Sequence, residues 1–362
     1  MPGLTPELIA DLVNATRNAH VDEDLVDLMS SIQDHVLVRT LVTKHMEEGD
    51  GGTKTEFSII TDENGSAQDA PMFYQRNPNI VDVTKRGQVS YSRQAANYTL
   101  EQSEVPLNGR EAKIKIFSIR AARRGPALLS LHNKIETAGW SKPADSTVAN
   151  AFLGVKSWIV KNVSGTSAAA QNGGFNGGDP SGFSSGIGGI SSTVVPQYAN
   201  WAHQYSAVTP DDLGMKLTRM RFMTNFRSSV APKVPGLSTH EPKRGYYMNP
   251  ETAFAMERYL RLQNDNIGKD WMFAEGEGMI GKTPIVPVPQ LAADTENPIY
   301  QIDWSWMRFI RQPGMGWLDE NAHPLSDRPT TIVSDIMTPW WQLICINRRA
   351  QGVLSTAASI TT

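Results

Sequence analysis

The sequence predicts a mixed α+β fold in which sheet and helix are interleaved, and three observations carry that expectation. Apolar residues recur at helical spacing in two stretches, 5–46 and 108–140. Between them, from Gly51 to about Val105, the pattern turns to period two and to β-rich residue types. Beyond Trp201 short β-rich runs alternate with a further helical one.

In the first helical stretch Leu8, Ile9, Leu12 and Val13 share one face, and a second stripe of Leu25, Leu28, Met29 and Ile32 follows a polar break. Thr5 before Pro6 and Glu7 is a suitable helix start. Such short amphipathic helices must dock, on the chain's own body or on a neighbour. In the next region Lys54 to Ile60 and Gln88 to Arg93 read as strands, and Asp62-Glu63-Asn64-Gly65-Ser66 as a turn. Large aliphatics are sparse there, so the expectation is a long, solvated hairpin that needs a surface to lie on, because an isolated two-stranded ribbon is marginal in water.

Ile114, Phe117, Ala121, Leu128, Leu131, Ile135 and Ala138 define the longest helical pattern. Gly125-Pro126 interrupts it, and a kink or break is expected where proline removes a donor and crowds the preceding turn. The stretch is net basic, which a solvated face explains more simply than a phosphate-facing one. Residues 164–192 are rich in glycine and serine and read as loop. Further on, Arg244 to Met248 reads as a strand, Asn249 as the cap of a helix opened by Pro250, and Ile285–Val288, Ile299–Trp306, Thr331–Ile336 and Trp341–Asn347 as strands.

At 362 residues the chain exceeds the roughly 100–200 of one compact unit, so two lobes, or one lobe with large excursions, are expected. A hydrophobic share of 40% with 20% charged residues excludes wholesale disorder. Lys and Arg number 34 against 37 Asp and Glu, a net charge of −3, so the bulk composition demands neither nucleic acid nor an anionic membrane. No apolar run reaches the ~18 residues a membrane span needs, and Met1-Pro2-Gly3-Leu4 does not open a secretory signal, so no membrane partner and no secretion are expected. The one cysteine, Cys345, lies in an apolar run as a small hydrophobe, which fits a reducing cytoplasm.

Gly276-Glu277-Gly278-Met279-Ile280-Gly281-Lys282-Thr283 matches the phosphate-loop pattern, which would suggest an NTPase acting through Lys282. That chemistry needs a helix after the loop, because the helix N-terminus and the loop amides hold the phosphates together. Pro284, Pro287 and Pro289 forbid the helix, and Glu275 and Glu277 oppose a triphosphate, so the match reads as accidental. The histidines show no metal-ligand spacing, His132 reads as structural, and no nucleophile elbow occurs. No catalytic residue, cofactor or metal is expected, and the chain does not read as an enzyme.

The order of parts resembles the tailed-bacteriophage major capsid protein. Tyr246-Tyr247-Met248-Asn249-Pro250-Glu251-Thr252 is similar to that family's strand-to-helix passage. Ile280-Gly281-Lys282-Thr283-Pro284-Ile285-Val286 resembles its Leu-Gly-basic-Pro-Val strand start. Ile302-Asp303-Trp304-Ser305 stands where the family tends to have a Gly-Asp strand, though the glycine is absent. Arg348 to Leu354 resembles the closing strand of its peripheral domain. The resemblance implies an N-terminal helical arm at 1–50, an extended β loop at 51–104, a peripheral domain with a long spine helix at 105–150 and 326–362, and an axial domain at 151–325.

It further implies a shell protein of the virion, assembled in the host bacterial cytoplasm, whose pentamers and hexamers close an icosahedral capsid around packaged double-stranded DNA held non-specifically on the interior. Portal and decoration proteins are possible partners; with only about fifty residues ahead of the extended loop, a separate scaffolding protein, or none, is expected. The extended loop would lie across an adjacent subunit, with Lys54, Phe57, Tyr74, Arg76, Lys85, Arg86 and Tyr91 as contacts, and Gly125 and Pro126 would kink the spine helix. An encapsulin-like compartment shares the fold and differs in cargo.

Overall fold

The computed structural model describes residues 34–63, 82–101, 119–148, 150–161, 173–225, 242–262, 271–274, 277–280, 283–314, 323–324 and 332–356, with isolated positions between 65 and 72. The first amphipathic stripe, 5–33, lies outside the described residues. In chain order the elements are helix α1 (Val36–Lys44), strands β1 (Met46–Glu48), β2 (Lys54–Ile60), β3 (Thr84–Ser90), β4 (Ser92–Arg93) and β5 (Ala96–Glu101), and helix α2 (Ile119–Gly139). There follow α3 (Val155–Trp158), β6 (Gly174–Gly177), β7 (Asn200–Gln204), α4 (Met215–Met223), β8 (Arg244–Met248) and α5 (Pro250–Leu262). The chain ends through β9 (Trp271–Ala274), β10 (Glu277–Ile280), β11 (Thr283–Pro287), β12 (Ile299–Asp303), β13 (Met307–Arg311), β14 (His323–Pro324), β15 (Ile332–Met337), β16 (Trp340–Cys345) and β17 (Gly352–Ser355).

The largest sheet runs β6-β7-β17-β12-β8-β11-β10-β9. Its central strands β7, β8, β12 and β17 are buried almost throughout, as strands covered on both faces must be. Alternation sorts their side chains: Trp201, Tyr246, Met248, Ile299 and Leu354 meet α4 and α5 through Leu217, Met220 and Met256. Ala202, Tyr247, Tyr300, Ile302 and Val353 face the other way, into a core shared with α1, α2 and α3. Helix α5 crosses from β8 to its parallel neighbour β11, and Asn249 opens it by accepting from the Glu251 amide at 3.2 Å.

A second sheet, β1-β13-β16-β4, binds residues far apart in sequence, and a third, β14-β15-β5, lays Tyr98 and Met337 against Ala127 and Leu128 of α2. Strand β17 sits in the middle of the large sheet between β7 and β12, while β4 pairs with β16 and β5 with β15.

Helix α2 runs without a break from Ile119 to Gly139, through Pro126. Of the expected kink or break, a break does not occur, and Gly125 and Pro126 are both exposed. A proline in a helix interior still costs about 3 kcal/mol, partly offset by the freedom it removes from the unfolded chain. Pro126→Ala is therefore expected to stabilise the protein by about 2 kcal/mol, read as a rise in Tm, and an unchanged Tm would refute it.

Candidate assembly surfaces

The hairpin of β2 and β3 pairs over its whole length, from Lys54 opposite Ser90 to Ile60 opposite Thr84. Its residues alternate, so one face carries Thr55, Phe57 and Val89 inward while Lys54, Glu56, Ser58, Arg86 and Gln88 remain outward and exposed. Phe57 lies across its cross-strand partner Gly87, where a Cβ would come within 2.5 Å of the ring, so only glycine fits. The ring then meets Trp158 edge-on at 6.4 Å, and the Gln88 amide donates to the Gly188 carbonyl at 2.9 Å.

The proximal half of the hairpin is thereby fastened to the chain's own body. Phe57 and Tyr91, two of the expected contacts, are buried in the chain's own core. Lys54, Lys85 and Arg86 stay exposed; Arg86 pairs with Glu56 across the strands, and Lys85 with Asp82 at 3.2 Å. Tyr74 and Arg76 lie outside the described residues.

Among the described residues the phosphate-loop match falls on strands: Ala274 pairs with Glu277 and Ile280 with Thr283 in antiparallel register, and Glu275, Gly276, Gly281 and Lys282 lie outside the described residues. Thr283 begins β11 rather than the helix that a phosphate loop requires. Among the described residues no group of three or more His, Cys, Asp or Glu side chains converges as a metal site, and no helix is long and apolar enough to cross a membrane. Cys345 is buried, and burial pushes its thiol up to about 12, which leaves it a protonated core side chain at neutral pH.

A surface that periodicity alone did not single out lies on α4 and α5. Leu217, Met220 and Thr224 face the large sheet, which turns Met215, Arg219 and Phe222 outward on the opposite side of α4. Phe222 is 73% exposed and Phe254 of α5 is 69% exposed, with Met215 and Met223 also open to solvent. Both helices cover the same face of the large sheet, so these side chains stand in its outer layer. The available signal was Met215 and Phe222 seven residues apart, out of phase with the buried stripe.

The loop rich in glycine is built around Arg348, which is fully buried. Its Nε donates to the Trp158 carbonyl at 2.8 Å, Nη1 to that of Tyr198 at 2.9 Å, and Nη2 to those of Gly178 and Gly177 at 2.6 and 3.2 Å. The guanidinium also lies 5.3 Å from the Tyr198 ring centroid, and Asp179 stands 3.9 Å away while taking the Ser191 hydroxyl and the Ser192 amide. Nearby, Lys156 and Lys161 converge on Asp294, whose carboxyl is lowered by those two ammonium groups despite its partial burial. These clusters pin loops to the sheet.

No known protein-family profile matches the chain, and no curated protein matches its sequence. Solved structures do match its fold. A chain of the cyanophage A-1(L) capsid asymmetric unit superposes with a TM-score of 0.62 at 12% identity, over 98% of this chain and 99% of that one. The capsid of the empty GTA particle, computed with C5 symmetry, gives 0.56 at 13% identity over 94% and 98%. The SrpI encapsulin of Synechococcus elongatus gives 0.50 at 11% identity over 95% of both chains. The chain therefore has the fold shared by phage capsid proteins and encapsulin shells.

Proposed function

We propose that the protein is a major capsid protein that assembles with copies of itself into a closed shell around double-stranded DNA. The observation that supports this best is the full-length correspondence with the cyanophage capsid chain, with neither chain carrying a large unmatched part. The extended loop at 51–104, anchored at its base, offers its distal part to the next subunit, with Lys54 and Arg86 on its outward side and Lys85 exposed on the opposite face beyond Phe57. The large-sheet lobe serves as the axial domain and α2 as the spine helix. Pentamers and hexamers then follow from one interface repeated about closed symmetry axes.

Negative-stain microscopy of the purified protein tests the reading: closed shells or capsomers are expected, and tubes, or a monomer at every concentration, would sink it. In this scheme Met215, Phe222, Met223 and Phe254 meet a second copy. Apolar anchors at the centre of an interface are worth about 2 kcal/mol or more each, so Phe222→Asp with Phe254→Asp should lower the assembled fraction at least tenfold. Unchanged circular dichroism would show that the subunit itself stays folded, and wild-type assembly by the double variant would remove this face from the interface.

A second reading, an encapsulin-like compartment, is supported by the match to the Synechococcus elongatus shell. The contents of purified particles separate the two, since packaged DNA favours the capsid and a protein cargo the compartment.

A further inference from the structure

Helix α1 is held on α2 by an unusual junction. The side chain at its N-cap, His35, makes no bond to the first-turn amides. Glu136 of α2 takes them instead, its carboxylate accepting from the Leu37 amide at 3.0 Å and the Val38 amide at 2.9 Å, and from the Trp140 indole at 2.7 Å. His35 is thereby free to bond Asn133 of α2 through Nε2 at 2.6 Å, and its ring meets that of His132 edge-on at 6.2 Å. Below this polar edge Val36, Leu37, Val38 and Leu41 are buried, and Leu37 lies so close over Gly139 that a Cβ there would come within 2.7 Å of it.

We propose that this junction is an acid-sensitive latch: α1 stays docked on α2 while His35 and His132 share at most one proton, and loosens when both rings are charged. Two imidazolium rings at this spacing repel, and the charge on His35 would stand at the positive end of the α1 dipole, an effect that the Glu136 carboxylate capping that end offsets in part. Burial, and then the neighbouring His35, hold His132 below its ordinary value. A base depressed in the docked state stabilises docking above about pH 6.5 and loses that contribution as pH falls through the lowered value.

Among the described residues the other charged groups at the junction are Arg39 and Asp34 of the α1 segment, paired with each other at 3.2 Å, Lys134 on the exposed side of α2, and Glu136. The large sheet contributes Tyr247 and Tyr300, both packed on Trp140. Glu136 works against the latch, since burial raises its carboxyl and a group that keeps its proton better when docked favours docking as acid is added. It is unaltered in the variants below, so the histidine effect can be isolated.

The test is hydrogen–deuterium exchange of the full chain at about pH 7.5 and about pH 5.5, corrected for intrinsic exchange, reading peptides over 36–44 and, as reference, 299–303. In the wild type, protection of 36–44 should fall at least about tenfold at the lower pH while 299–303 holds, and His132→Gln and His35→Gln should each reduce that fall to about twofold or less. Equal loss in both peptides, no loss in the wild type, or a wild-type response in both variants would overturn the proposal.

Discussion

Replacing Arg348 by leucine is expected to destabilise the protein by about 3–5 kcal/mol, enough to abolish folding in a marginal domain. The reason is not the lost cation itself, whose burial is costly and whose guanidinium is held below its ordinary value by desolvation. It is the acceptors left behind: the buried carbonyls of Trp158, Tyr198 and Gly177 all point at one side chain, with the part-buried Gly178 carbonyl beside them. An unsatisfied buried acceptor costs about 1–3 kcal/mol, and three of them outweigh the apolar gain from leucine. Lysine keeps the charge but lacks the planar fork, so Arg348→Lys should fall between leucine and the wild type. Denaturant unfolding read by tryptophan fluorescence gives the ranking, and proteolysis within 173–199 should accelerate in the same order. A leucine variant within about 1 kcal/mol of the wild type would show that the loop holds itself together.

That result bears on what could be read from the residues alone. The strand-to-helix passage at Tyr246-Tyr247-Met248-Asn249-Pro250 was legible because every signal in it is local: β-rich residues, a capping side chain, a proline at the first helical position. The rejection of the phosphate loop was legible for the same reason, since Pro284 denies a helix wherever the rest of the chain goes. Arg348 was not legible, because its partners lie about 150–190 positions away and next to it stands Arg349, a half-buried arginine of the same type. Nor was the burial of Phe57 and Tyr91, since a period-two strand with charged alternate residues looks the same whether its apolar face meets its own body or a neighbour. What the outward face of α4 and α5 meets belongs to this class too, because an interface between copies leaves only exposed apolar side chains in the lone subunit.

Glu136 carries the other large effect. Glu136→Leu removes the acceptor of two first-turn amides of α1 and of the Trp140 indole in a site closed to water, and should cost about 3 kcal/mol. Glu136→Gln keeps one carbonyl oxygen and should cost about half of that, since its NH2 has only donors to face. The two differ in a second respect that a simple packing defect would not reproduce. Burial raises the Glu136 carboxyl more than its three donors lower it, so the folded state holds this proton more tightly than the unfolded chain. The stabilising contribution is thus complete below the ordinary value of 4.5 and is lost as pH rises through the raised one. Unfolding free energy measured against pH should show that decline in the wild type and lose it in Glu136→Gln, whose amide does not titrate. If the glutamine variant keeps the wild-type slope, the slope arises elsewhere, and Glu136 caps the helix without sensing pH.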